Sequence, residues 1–318
     1  MKREDGPALS FELYPPRSSL SAEALGVTIA ELEPTRPDYV SVTAALAGDR
    51  RRQSIDLLRH LVDETELKPL AHILSTGQNA AELEDLVQEI IDQGVRGLLA
   101  LRGDRPDDYT LREGELPFAR HLVELIRRVE ARGSAKLCAG RLAVGVAAYP
   151  VRHPESSSIH HDTEVLLAKQ RAGADFAITQ VYPDPDDYAG LVDRARANDV
   201  DLPLIPGILP VTSLRRYLRV CDLAGIDPNR ELVSRLESSG SFAERLAVGV
   251  DSAEEFARRA LDAGAPGLHI YTFNEHPAAL ELVDRLGLRR GTPSKHPSVA
   301  RKQREEIKIG RASCRERV

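Results

Sequence analysis

The stretch GLLALRGD, Gly97 to Asp104, decides how the rest of the chain is read. Leu98 to Leu101 form a short, unbroken apolar run of the kind a strand shows when both of its faces are buried. The run stops at Arg102-Gly103-Asp104, two charges separated by a residue without a side chain. A buried charge without a partner is too costly to keep, so residues in this position face partners, solvent or a ligand. Gly103 permits a sharp turn or the close approach of a ligand. Alone, such a turn is equally well a surface ion pair. The same design, an apolar run with a polar end, recurs along the chain.

Working outward, strand-like runs are predicted at Ala8–Tyr14, Asp38–Ala44, Pro69–Ser75, Gly97–Leu101, Leu142–Tyr149, Phe176–Tyr182, Pro203–Leu209 and Gly267–Phe273. Between them lie segments of helical periodicity, among them Ala22–Leu32, Ser54–Thr65, Ala80–Gln93, Phe118–Ala131, Thr163–Ala172, Tyr188–Asn198, Ser213–Leu223 and Ala253–Ala263. Eight alternating units with no all-β or all-α block predict an α/β fold, a single (β/α)8 TIM barrel, with extra helical material near Asn229–Ser238 between strands seven and eight. No GxGxxG follows the first strand, which leaves an open dinucleotide-binding sheet without support. Asp251-Ser252 ahead of Glu254-Glu255 predicts a helix start there, and Gly173 and Gly264 are predicted helix ends. Of the irregular connections, Arg105–Leu116 is expected to be a lid and Gly133–Arg141 a surface loop.

The chain of 318 residues has 42% hydrophobic and 29% charged residues, enough for a large core in one barrel. A net charge of −6 argues against a general nucleic-acid binder. No apolar run approaches the roughly 20 residues that cross a bilayer. The charged start, MKREDGPALSFEL, lacks an extended apolar segment and is not expected to be a secretory signal. Cys138, Cys221 and Cys314 are far apart without CxxC spacing, so neither zinc nor a disulfide framework is expected, and a cytoplasmic setting fits. Residues 1–288 are expected to be the barrel and 289–318 a basic, disordered tail. The last ten residues, IGRASCRERV, look like a translated sequencing adapter.

Catalytic groups of such barrels stand at the C-terminal ends of the strands. Those positions offer Glu12, Thr43, His72, Arg102 with Asp104, Tyr149 leading to His153, Thr179-Gln180 with Tyr182, the segment PGILP, and YTFNEH. Glu12 alternates with Phe11 and Leu13, so it faces the barrel interior, where desolvation raises a carboxyl pKa into the range of a general acid. A structural carboxylate paired with an arginine is the alternative for it, and a hydrogen-bonded core histidine the alternative for His72. No lysine ends a strand, which argues against Schiff-base chemistry, and no ligand cluster suggests a metal.

With these residues on the page, the chain resembles the methylenetetrahydrofolate reductase family of the bacterial, flavin-dependent type. The likeness runs from Leu9 to Leu288 and is carried, in order, by SFELYPPRS, DYVSVT, LAHILS, LALRGD, VAAYPVRHPE, AGADFAITQVY, PLIPGILPVTS and GLHIYTFN. It implies a barrel that binds FAD and passes reducing equivalents from NADH or NADPH to 5,10-methylenetetrahydrofolate, giving 5-methyltetrahydrofolate for methionine synthesis, and a chain able to form a homo-oligomer. Matched residue by residue, Glu12 is the general acid that opens the folate ring to an iminium, and Asp104 sits between flavin and folate. Thr43, His72, Arg102, Gly103, Tyr149, His153, Asp162 and Lys169 line the flavin, while Gln180 and Tyr182 join Glu12 at the substrate.

The departures from the family pattern are Ala44–Gly48 in place of an aromatic and a Gly-rich turn, Val181-Tyr182-Pro183 in place of a run of Phe, Glu275 in place of a basic residue, and Arg216 in place of Gln. They keep two further readings open, a flavin-independent folate reductase and a non-catalytic folate-binding barrel.

Overall fold

The computed structural model describes residues 6–43, 49–105, 108–133 and 140–289. Strand β1, Ala8–Leu13, sets the rule for the others. Leu9, Phe11 and Leu13 turn one way and join the large apolar layer under the helices, leaving Ser10 and Glu12 to the opposite face. β2 (Tyr39–Val42), β3 (Pro69–Leu74), β4 (Gly97–Leu101), β5 (Ala143–Ala148) and β6 (Phe176–Thr179) follow. β7 (Leu204–Ile205), β8 (Gly207–Ile208) and β9 (Gly267–Tyr271) complete the sheet, whose order is β7-β6-β5-β4-β3-β2-β1-β9-β8 with every pairing parallel.

The predicted seventh strand is present in two pieces. Pro206 has no N–H to give to a ladder, so it splits the strand into β7 and β8. β7 pairs with β6 and β8 with β9, which carries the ring across the seventh position. The Pro206 carbonyl still accepts from the His269 N–H at 3.0 Å. The fold is therefore a (β/α)8 barrel. Inside it, Leu70, Leu99, Ile178 and Ile205 form a small apolar plug, distinct from the layer between sheet and helices.

Ten helices are described: α1 (Ser19–Leu32), α2 (Asp49–Glu64), α3 (Ala80–Asp92), α4 (Ala119–Arg132), α5 (Ile159–Arg171), α6 (Asp186–Ala197), α7 (Leu214–Ala224), α8 (Arg230–Glu237), α9 (Phe242–Asp262) and α10 (His276–Arg285). The expected extra helical material between the last two strand positions is there as α8, capped by Asn229. The expected start of a helix at Asp251-Ser252 is corrected. α9 begins at the Ser241 cap, whose capping box with Glu244 satisfies the first N–H groups, and runs unbroken through Asp251. Asp251 is instead an ion-pair partner, meeting Arg235 at 3.0 Å and Arg285 at 2.7 Å. Gly173 and Gly264 adopt φ of 107° and 87°, as expected for helix ends.

The segment expected to be a lid is tied down at its far end. The Glu115 carboxylate accepts from the backbone N–H groups of Gly77 and Arg112, both at 3.1 Å, and from the Tyr109 hydroxyl at 2.6 Å, and it pairs with Arg105. The altered turn at Ala44–Gly48, most of Gly133–Arg141 and the tail from residue 290 lie outside the described residues. No described helix is long and apolar enough to cross a membrane.

α9 seats its Gly249 on the backbone leaving β8, where an added Cβ would lie 2.0 Å from the Val211 carbonyl oxygen. Gly249→Ala is expected to destabilise the fold by about 1–3 kcal/mol through overpacking, read as a lower denaturation midpoint. An unchanged midpoint would show that α9 shifts freely.

Candidate active site

The C-terminal ends of the strands surround a cavity of about 770 Å³. That volume lies within the roughly 300–1,000 Å³ of small-molecule sites. Glu12 stands on its inner wall, 6% exposed. Burial pushes its carboxyl up to about 7, and a hydrogen bond with the Tyr14 side chain pulls the other way. His72 Nε2 lies 3.8 Å from Glu12 Oε2, too far for a hydrogen bond, and has no partner. Burial lowers the His72 pKa to about 4, so near pH 6 the contact joins two neutral groups and is no ion pair.

Deeper in the barrel, His269 is held between two serines, with Ser10 Oγ 2.9 Å from its Nδ1 and Ser41 Oγ 3.5 Å from its Nε2. Burial drives its pKa down to about 3, and His72 nearby adds to the shift. Tyr271 commits its hydroxyl to the Thr179 carbonyl at 2.8 Å. The strand register explains the grouping, because Ser10 is level with His269, and Glu12 with both Ser41 and Tyr271.

The second wall is built by β4, β5 and α5. Gly103 adopts φ of 90°, a conformation natural only to glycine. On either side of it Arg102 and Asp104 line the cavity, as does Thr43 at the end of β2. The Arg102 guanidinium is gripped by both oxygens of Glu155, one at 2.7 Å. The Asp162 carboxylate accepts from the His153 backbone N–H at 2.9 Å and sits in the first turn of α5, where the helix dipole favours it. The His153 and Tyr149 rings meet edge to face at 4.5 Å. Lys169 is buried, donates to the Ala147 carbonyl at 2.8 Å and lies 5.9 Å from the Tyr149 ring centre. Burial lowers its pKa to about 8 against the pull of Asp162.

Gln180 is at the exposed rim of the cavity, with its carbonyl oxygen taken by the Val181 N–H at 2.9 Å. The expectation for Tyr182 is corrected. β6 ends at Thr179, so strand alternation does not carry Tyr182 to the cavity side; its buried ring packs on Phe256 of α9, 5.4 Å between centres. The other eleven predicted site residues all line the one cavity.

Residues missed in the sequence complete the site. Tyr14 carries the signal of standing two places after Glu12, and His269 and Tyr271 that of facing inward on the last strand. Glu155, within VRHPE, carries no signal of its own. Phe273 and Asn274 have φ of 50° and 61°. Such non-glycine conformations cost about 1–3 kcal/mol each and persist only where the surroundings enforce them. Here Asn274 brackets Tyr14, accepting from its N–H at 2.8 Å and donating to its carbonyl at 2.9 Å. Arg216 and Glu275, both departures from the family pattern, form a pair at 2.7 Å beside them.

FAD can be tested against these residues. His72 Nε2 is a buried polar atom without a partner on the cavity wall, Gly103 leaves the backbone bare, and the walls mix aliphatic, aromatic and cationic groups. These features fit a large planar ligand with polar edges and phosphates.

The raised Glu12 pKa has a consequence for stability. The ordinary value is 4.5 and the folded value about 7, so burial of the neutral acid stabilises fully below pH 4.5 and the benefit is lost as pH rises through 7. Glu12→Gln is expected to match the parent protein near pH 4.5 and to exceed its stability by about 3 kcal/mol at pH 8.5. Denaturant titrations of both proteins at the two pH values measure this; a pH-independent difference would place the carboxyl in water.

Comparison with known proteins follows the same lines. The family described as Methylenetetrahydrofolate reductase matches residues 1–287. The 5,10-methylenetetrahydrofolate reductase of Pectobacterium carotovorum subsp. carotovorum is 29% identical over 296 residues, covering 92% of each chain. That of Escherichia coli (strain K12) is 29% identical over 284 residues, covering 89% of this chain and 92% of its own. Among solved structures, an uncharacterized protein from Clostridium thermocellum that binds two copies of 5-methyl-5,6,7,8-tetrahydrofolic acid superposes with a TM-score of 0.60 at 13% identity, covering 89% of this chain and 94% of that one. The last likeness shows the fold, and the match over nearly the whole barrel shows that this chain belongs to the methylenetetrahydrofolate reductase family.

Proposed function

We propose that the protein reduces 5,10-methylenetetrahydrofolate to 5-methyltetrahydrofolate, using FAD and reducing equivalents from NADH or NADPH. The observation that carries this is Glu12, an acid whose pKa burial pushes up to about 7, on the wall of a ligand-sized cavity. A general acid works best when its pKa lies near the working pH. Its proton passes to a nitrogen of the folate five-membered ring. The carbon–nitrogen bond there breaks with its electron pair staying on that nitrogen, and the methylene carbon is left as an iminium cation on the other. Asp104 lines the same cavity and favours that cation through its charge. Gln180 at the rim hydrogen-bonds the pterin. Thr43, His72, Arg102, Gly103, Tyr149, His153, Asp162 and Lys169, all on the cavity wall, would hold the cofactor. FAD held there would supply hydride-transfer chemistry.

One observation favours a second reading, a folate reductase without tightly held flavin. Arg102 is already saturated by Glu155, so an anionic cofactor must displace a carboxylate to use it. Purified protein that is yellow and bleached by NADH or NADPH supports the first reading; colourless protein that turns over supports the second.

Glu12→Gln is expected to lower folate reduction by about 10²–10⁴-fold, since an amide cannot donate the proton. Reduction of the bound flavin by the nicotinamide needs no proton from Glu12 and should persist. Near-native folate turnover would make Glu12 a structural carboxyl. Asp104→Asn is expected to slow folate reduction more than flavin reduction, measured by stopped-flow absorbance of the two half-reactions. Equal slowing would remove the role given to its charge.

A further inference from the structure

Donating a proton leaves Glu12 as a carboxylate in a place with little to solvate it. The groups that face it from neighbouring elements do not solve this. His72 of β3 is neutral, 3.8 Å away, and held down by burial. Tyr271 of β9 has given its hydroxyl to the Thr179 carbonyl. His269, further down β9, is neutral and bracketed by Ser10 and Ser41. Tyr14 stands two places after Glu12 and lines the same cavity wall; among the described residues its hydroxyl is the side-chain group that favours the charged form of the Glu12 carboxyl against burial.

Tyr14 is also held with unusual care. Asn274 closes two hydrogen bonds on its backbone, at 2.8 and 2.9 Å. Its ring lies parallel to Phe273, with centres 5.8 Å apart and planes 6° from parallel. The Arg216 guanidinium covers the Phe273 ring at 4.9 Å and is itself anchored by Glu275. Thr272 ties β9 to β1 by donating to the Glu12 carbonyl at 2.6 Å, and the Asn274 N–H is held by the same hydroxyl at 3.1 Å. Phe273 and Asn274 keep left-handed backbone angles to make these contacts. A turn this constrained fixes one phenol on the cavity wall that also carries the Glu12 carboxyl.

We propose that Tyr14 is a positioning residue for Glu12, a permanent O–H donor that orients the carboxyl and solvates the carboxylate left after proton transfer. The inference rests on Glu12 being the general acid. The phenol itself loses no proton: burial and the adjacent carboxyl push its ionisation far above the ordinary tyrosine range. The proton leaves Glu12 for the substrate, Tyr14 keeps its own and points it at the new carboxylate oxygen, and Glu12 is reprotonated between turnovers. Because a hydrogen bond to the charged form favours that form, Tyr14 opposes burial and keeps the acid strong enough to donate. The residue types agree with the task. Phenylalanine here would keep the stack on Phe273 and lose the donor.

The test is Tyr14→Phe, which preserves ring and stack, beside Asn274→Gly, which tolerates the left-handed angle but removes the bracket on Tyr14. Ionisation of Glu12 is followed in the resting protein by carbon-13 NMR of labelled glutamate, with Glu12→Gln assigning the signal. Turnover of 5,10-methylenetetrahydrofolate is measured against pH with FAD and NADH present. In Tyr14→Phe the Glu12 titration should move up by about one pH unit, kcat should fall by up to about tenfold as the acid weakens, and KM should stay put. Asn274→Gly should move both in the same direction by less. An unmoved Glu12 titration in Tyr14→Phe overturns the proposal, and so does a raised KM at unchanged kcat, which would make Tyr14 a substrate contact. Failure of the general-acid reading is distinguishable, since it shows as activity retained in Glu12→Gln whatever Tyr14→Phe does to the titration.

Discussion

Glu12 sits where an ionised carboxylate would cost several kcal/mol to desolvate, and among the described residues no arginine or lysine is near enough to offset it. The cheaper state is the neutral acid, and the barrel is arranged so that this remains true. His72 and His269 are neutral too, held so by the same burial. The interior of the strand ring is therefore polar without being charged, with serine, tyrosine and histidine in place of ion pairs. Charged side chains, among them Arg102, Asp104, Glu155, Asp162, Lys169 and Arg194, line the part of the cavity built by β4, β5 and the helices after them. A neutral inner wall and a charged second wall suit a ligand with a heteroaromatic ring at one end and anionic groups at the other.

The surrounding fold keeps that separation stable. Each strand sends alternate residues to the helix-facing layer, where Leu9, Phe11 and Leu13 are almost fully buried. The plug of Leu70, Leu99, Ile178 and Ile205 is a second apolar group inside the ring. At the far side of the sheet the break at Pro206 leaves the seventh strand short, yet both halves find partners. The segment after β8 is held by α9, whose Gly249 lets the helix lie directly on the Val211 backbone.

The two departures from the family pattern at positions 216 and 275 are one structural feature. Arg216 and Glu275 neutralise one another beside the Phe273 ring, so the pair adds no net charge to the mouth of the cavity. The guanidinium instead covers an aromatic ring that in turn carries Tyr14. A change that reads as two charge substitutions in the chain acts in the fold as a packing device.

Much of this was legible in the residues. Alternation of period two around Glu12 put its side chain inside the barrel, and polar residues at the ends of apolar runs marked the cavity wall, because a closed parallel ring leaves those positions no other surroundings. What the chain could not disclose depended on contacts between distant segments. Tyr182 reads like Gln180 by spacing, but its strand ends at Thr179 and the ring turns to Phe256. Asp251-Ser252 reads like a helix cap, but Ser241 and Glu244 had already capped that helix, and Asp251 found Arg235 and Arg285. Arg102 reads as a free cation until Glu155, 53 residues on, closes over it. Periodicity thus determined the barrel and the inward position of Glu12. Only the tertiary structure decided which neighbours surround Glu12, because the hydrogen bonds between the segments that follow β1 and β9 join residues 260 positions apart.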